Sequence, residues 1–254
     1  MRVAVHQPEF FPCLPLLAKI ARAERLVLLD DVPFKHDSMQ HRARIADRGG
    51  RTRWLTIPRD HGDAGRLVRE IRVGTRPGRK HWTEEHLDLL GETYRGAPGL
   101  GLVVDLYDAL TDVEAVAEIA ARTMEFLLRG YLPPAHPIRA GSIVSSSTLS
   151  VDPTLRKGAR VLAICEAVGA TTYVSGRGGA SYLDAEAFRD AGITIEVSDF
   201  VAPHYTRAKA APLADDEWAR ISGLDALMHL GVDALPAYRS APPASSTASP
   251  PGAP

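Results

Sequence analysis

Cysteine is nearly absent from this 254-residue chain: Cys13 and Cys165 are the only two, and they form no chelating pair. Two cysteines cannot build a disulfide framework, so the core must hold itself together, and a reducing compartment, the cytoplasm, is expected. Long apolar runs are missing too. No window approaches the ~18 consecutive apolar residues of a membrane span. The start MRVAVHQPEF lacks the basic, then apolar, then small-residue order of a secretory signal, so membrane insertion and export are not expected. Charge of one sign is also lacking. Thirty basic against thirty-one acidic residues leave a net charge of -1, which gives no global pull toward nucleic acid or anionic lipid.

What is present is enough apolar residue, 45%, to bury a full core as one large domain or a domain plus a subdomain. Beyond Ser240 the composition collapses to Ala, Pro, Ser, Thr and Gly, and 240–254 is expected to be a disordered tail. The balanced charge hides a basic stretch between Lys35 and Lys80, where eleven arginines face five acids. No RRM, KH or helix-turn-helix pattern accompanies it, so a phosphate- or carboxylate-bearing small ligand fits better than nucleic acid. Solvated strand faces would explain it equally.

Periodicity predicts an α/β fold: a mainly parallel sheet with helices on both faces, an antiparallel hairpin insertion and a helical middle segment. Arg2 to Val5 reads as a strand ending at His6, Leu14 to Ala23 as a helix and Leu26 to Leu29 as a second strand. A helix joining two strands makes them parallel, so the loops after each emerge at one sheet edge, where open α/β sheets bind ligands. His41–Ala46 and Arg53–Ile57 flank Gly49-Gly50 as a hairpin, and Val68–Val73 could add a strand. Helical spacing then runs through Lys80–Tyr94, Leu102–Leu110 and Val113–Leu128. A second α/β passage follows: a helix over Leu155–Val168, a strand over Thr172–Val174, a glycine loop, a strand over Ile193–Val197 and a last helix over Ser222–Leu230.

The candidate site begins with HQPEFFP. His6, leaving a parallel strand two residues before the stiff Pro8, is placed for acid/base work, and Gln7 adds a donor. Asp30 and Asp31 end the second strand. Adjacent carboxylates point to different sides, so one at most is expected to face the cleft with His6. Lys35, Gln40, His41 and Arg42 follow and could neutralise an anionic substrate, with Arg42 the best bidentate candidate. In the loop YVSGRGGASYLD, Ser175, Gly176, Arg177 and Tyr182 are candidates to hold a phosphate or carboxylate, although the loop is neither GxGxxG nor a Walker sequence. Each of these residues has a structural reading as well, as a satisfied turn residue or a solvated charge. No metal is expected, because His6, Asp30, Asp31, His36 and His41 lack paired ligand spacing. Cys13 has apolar neighbours that suit a packed thiol, and Trp54, Trp82 and Trp218 suit core or rim.

Taken together, HQPEFFP, LLDDVPF, the His41-Arg42 pair, LTIP at Leu55 to Pro58, KHW at Lys80 to Trp82 with His86, Tyr94 and Ala97-Pro98, YVSGRGGASYLD and GLDAL make the chain resemble the WbqC-like family. The resemblance covers about residues 1–235. Cys13 stands where that family usually has Trp, Pro15 where it has Gly, Pro33 where it has Gln and His41 where it has Asn. Cys13 is therefore no shared nucleophile.

The resemblance implies a setting in cell-surface polysaccharide biosynthesis, such as O-antigen, or natural-product biosynthesis, without a fixed reaction or cofactor. Within that setting three readings differ in class. One is a transferase forming an amide or ester between an activated, anionic acyl or aminoacyl donor and an amino sugar or similar acceptor, with His6 as base, Asp30 or Asp31 assisting and Arg42 with the glycine loop holding the donor. The second is a nucleotide-dependent, adenylate-forming or nucleotidyltransferase-like enzyme using VSSSTLS as a phosphate contact. The third is a non-catalytic binding or scaffold protein.

Overall fold

The computed structural model describes residues 1–60, 62, 65–140, 142–200, 204–207, 210–214 and 217–234. The expected tail at 240–254 lies outside them. Five parallel strands form the main sheet: β1 (Arg2–His6), β2 (Arg25–Leu28), β5 (Ile143–Ser145), β6 (Thr172–Gly176) and β7 (Thr194–Ser198). Their order is β5-β2-β1-β6-β7, with β3 (Arg42–Ala46) and β4 (Thr52–Thr56) paired separately as an antiparallel hairpin.

Side-chain alternation explains why both faces of the sheet are covered. Ala4, Leu26, Leu28 and Val174 enter one core, while Val3, Val5, Val27 and Tyr173 enter another. A strand has period two, so these sets lie on opposite faces. The larger core takes α1 (Leu14–Ile20), α2 (Trp82–Thr93), α3 (Val104–Leu110), α4 (Val116–Tyr131) and the hairpin. The smaller takes α5 (Lys157–Ala167) and α7 (Ala185–Asp190). Between them a one-turn helix, α6 (Arg177–Ala180), follows β6, and α8 (Gly223–Ala234) closes the larger core. Gly231, at φ 72°, interrupts α8 in a backbone conformation that favours glycine.

Two local readings need correction. Val68–Val73 is not a strand; Val68–Glu70 is a 3-10 turn. Glu70 bends its carboxylate back to accept from the Leu67 N–H (2.9 Å), and that local bond competes with ladder pairing. The segment keeps only isolated bridges, such as Arg72 with Ala115. Conversely, Ile143–Ser145 is a strand that alternation over three residues cannot announce. It forms by adding parallel to β2.

Candidate functional site

The strand order reverses direction at β1, which has β2 on one side and β6 on the other. At such a switch point the loops leaving the two strands diverge and open a crevice beyond their carboxyl ends. A cavity of about 450 Å³ occupies that place. Its walls include His6 and Gln7 from β1, Lys19 from α1, and Gly176 to Gly179 with Tyr182 after β6. The volume suits a small-molecule ligand.

The loop that carries His6 is held rigidly. Phe11 sits at φ 43°, a left-handed conformation costly for a bulky side chain, with its ring buried. Its N–H donates to Thr123 Oγ1 (3.0 Å), and its carbonyl accepts from Ser222 Oγ (2.6 Å). Gln7 is fixed through its amide oxygen, which accepts from Gln40 Nε2 (2.9 Å); Gln40 Oε1 in turn accepts from Ser38 Oγ. Gln40 is therefore a buried support behind the cavity wall.

His6 Nδ1 lies 3.0 Å from the Gln7 carbonyl oxygen. A carbonyl can only accept, so Nδ1 carries the proton and the neutral ring leaves Nε2 with a lone pair. Burial, followed by the nearby Lys19 cation, pushes the His6 pKa down to about 3. Glu9 Oε1 stands 3.8 Å from Nδ1. Burial raises Glu9 to about 7 against the opposing pull of Lys19. Lys19 is buried with Nζ donating to the Val5 carbonyl (2.8 Å), and burial lowers it to about 8. His6 and Lys19 thus line the cavity as electrostatically coupled groups, with Glu9 behind them in reach of both charges. Lys19 and Glu9 were not singled out in the sequence. A lysine inside the apolar run LPLLAKI was the available signal for the first.

Asp30 and Asp31 do not line this cavity. Instead of pointing apart, both carboxylates reach Ser146 Oγ, at 3.2 and 2.5 Å. Asp30 also accepts from the Ser147 N–H (3.0 Å) and Oγ (2.7 Å), and Asp31 pairs with buried Arg160 (2.5 Å). The expectation of opposite directions fails because the chain leaves the sheet at Leu29 and turns, so strand alternation no longer applies. These bonds tie the end of β2 to the turn after β5. The Ser146 and Ser147 hydroxyls are committed to carboxylates.

The remaining candidates are dispersed. Arg42 lies in a separate cavity, apart from the glycine loop. His41 is buried against Phe34, its pKa lowered to about 4 by burial and the Arg59 and Arg42 cations. Lys35 is exposed, with its carbonyl accepting from Ser38 Oγ. Ser175 is buried with Oγ donating to the Gly176 carbonyl, whereas Ser198, from β7, lines the cavity. Arg177 lines it too and donates to the Asp199 carbonyl (3.1 Å). Cys13 is outside it, and burial raises its thiol to about 12. Trp82 and Trp218 are core, and Trp54 is part-exposed under two arginines. Among the described residues no cluster of three or more His, Cys, Asp or Glu is placed to hold a metal ion, and no helix is long and apolar enough to cross a membrane.

Residues 7–237 match the WbqC-like protein family. The chain belongs to that family. No curated protein and no solved structure matches it. In this WbqC-like chain the HQP loop and the SGRGG loop, 169 residues apart in sequence from His6 to Ser175, meet at one sheet edge.

The buried histidines have a consequence for stability. His41 and His86 both have pKa values lowered to about 4 by burial, and His6 to about 3, although its side chain is 30% exposed and contributes less. In the unfolded chain each titrates near its ordinary 6.5. As pH falls below that value the unfolded state takes up protons that the folded state refuses, so stability falls. Glu9 acts oppositely: between 7 and 4.5 its folded form holds a proton that the unfolded form releases. The histidines outnumber it. At about 1.4 kcal/mol per pH unit for each uncompensated proton, a loss of about 2–3 kcal/mol is expected between pH 6.5 and 5. Urea unfolding across this range checks it, and an unchanged midpoint would contradict it.

Proposed function

We propose that this WbqC-like protein is a group-transfer enzyme that forms an amide or ester between an activated acyl or aminoacyl donor and an amino sugar or similar small acceptor. The setting implied by the family is cell-surface polysaccharide or natural-product biosynthesis. The observation that carries the reading is His6 at the switch-point cavity, neutral and with its proton on Nδ1. Nε2 is then the atom that takes a proton from the attacking amine or hydroxyl. As that proton moves, the new N–C or O–C bond forms and the bond from the acyl carbon to its leaving group breaks, the leaving group departing with the electron pair. An imidazolium in a buried site needs a compensating charge, and Glu9, 3.8 Å from Nδ1, supplies it when ionised.

Direct transfer is favoured over a covalent thiol intermediate, since Cys13 is outside the cavity and its thiol is held protonated. Arg177, Gly178 and Gly179 border the space left for the donor's anionic part. The nucleotide-dependent reading is supported by the cavity's place at a switch point, where doubly wound sheets receive nucleotides. It draws no support from Ser146 and Ser147, whose carboxylate partners would repel phosphate.

The test is incubation of the full chain with activated acyl and aminoacyl donors and amino-sugar acceptors, read by mass spectrometry. Amide or ester product, lost in His6→Ala, is expected. Pyrophosphate release from ATP without acyl transfer would favour the nucleotide reading instead.

A further inference from the structure

The second cavity, about 170 Å³, is lined by Glu9 to Pro12 of the HQPEFFP segment whose His6 and Gln7 line the first, and it shares no lining residue with that one. Arg42, Arg44, Arg220 and Glu9 are in its wall, with Phe10 and Met39 among its apolar surfaces. We propose that this cavity is a distinct binding site for a small oxyanion, a carboxylate or phosphate group, held by Arg42 and Arg220. The assignment is independent of acyl transfer at His6.

The hairpin builds the cationic wall. Arg42 and Arg44 are two apart on β3 and so share a face. Both guanidinium groups stack on Trp54 of β4, which pairs directly with Arg44, at 4.6 and 4.9 Å from the ring centre. The aromatic face orients two like charges that would otherwise repel.

Charge is then left over. Glu217 neutralises Arg44 through contacts of 2.9 and 3.1 Å. Arg42 Nη2 donates to the Asp37 carbonyl (2.7 Å), a neutral partner, and its ion pair is with the Asp37 carboxylate at 3.7 Å, whose side chain is 99% exposed, so water and salt screen it. Among the described residues Arg220 enters no ion pair. The Nε atoms of Arg42 and Arg44 are buried without a hydrogen-bond partner, and such donors are costly unless an acceptor reaches them. An oxyanion in the cavity that both side chains line brings an acceptor to that wall.

The other walls favour the same class of ligand. Burial raises the Glu9 pKa to about 7, which limits its opposition to an anion. Apolar surfaces strengthen charge-assisted hydrogen bonds. The volume, about 170 Å³, admits an oxyanion group.

Calorimetric titration of the full chain with sodium phosphate, and separately with sodium acetate, at constant ionic strength, tests the site. Saturable binding of at least one is expected, weakened about tenfold by Arg42→Gln and by Arg220→Gln, as for loss of a charged hydrogen bond. Arg177→Gln, which alters the His6 cavity, should leave it unchanged. The stronger of the two anions identifies phosphate or carboxylate as the ligand group. Arg220 is exposed, so its variant tests the site without endangering the fold. Absence of saturable binding by either anion overturns the proposal. So does binding lost in Arg177→Gln but kept in Arg42→Gln and Arg220→Gln.

Discussion

Replacing His6 by alanine is expected to reduce kcat/KM for amide or ester formation by about 10²–10⁴-fold, the range associated with a positioned general base. Truncation removes Nε2, the proton acceptor, while Gln7, Tyr182 and the glycine loop still shape the cavity, so binding of the donor should survive. Near-wild-type turnover in the variant would remove His6 from the reaction. Lys19→Met provides a second readout. Lys19 is the second-largest cause of the low His6 pKa, after burial. Without its charge the acid limb of the pH–rate profile should move upward from about 3, yet stop short of 6.5 because burial remains. A purely structural lysine would lower activity without moving that limb.

Loss of Asp225 should produce the largest stability change. Asp225 in α8 is fully buried and accepts from Tyr94 OH and Tyr205 OH, both at 2.7 Å, and from Arg207 Nε at 3.2 Å. Arg207, itself buried, also donates to the Ala46 carbonyl at the end of β3 (2.7 Å). One carboxylate therefore links the end of α2, the hairpin and α8. Asp225→Ala leaves Arg207 as a buried charge without its partner, at a cost of about 3–5 kcal/mol. Urea unfolding should show it, and a change below about 1 kcal/mol would mean that the site relaxes or hydrates. Pairing Asp225→Leu with Arg207→Met should recover part of the loss, because the double replacement removes the stranded charge.

These two sites differ in how far they can be read from residues alone. His6 follows an apolar strand and precedes a proline, so its position at a sheet edge is a local matter. The hairpin is local too: alternating residues flank Gly49-Gly50, and Gly50 adopts φ 81° as the turn requires. Asp225 sits in an apolar helix, but its partners Tyr94 and Arg207 come from 131 and 18 residues away. No local pattern pairs them.

Asp30 and Asp31 show the same boundary inside the candidate site. Their place after β2 is legible from LVLLDD, while their partners, Ser146, Ser147 and Arg160, lie more than 110 residues downstream. Reading them as cleft carboxylates followed from strand alternation, which holds within a strand and lapses at the turn. Arg42, read from the sequence as a cation for an anionic ligand, lines a different cavity from the glycine loop, and that separation depends on how the hairpin packs beside the sheet.

The sequence by itself determined the family, the α/β class, the first strand–loop–helix–strand unit and the hairpin, because each depends on short-range periodicity, turn chemistry or ordered motifs. Tertiary structure alone decided that β6 pairs with β1, that Lys19 and Glu9 stand beside His6, and that the arginines face a second cavity. Those outcomes come from burial and long-range hydrogen bonding, which choose partners by shape and charge in space and leave no fixed spacing along the chain.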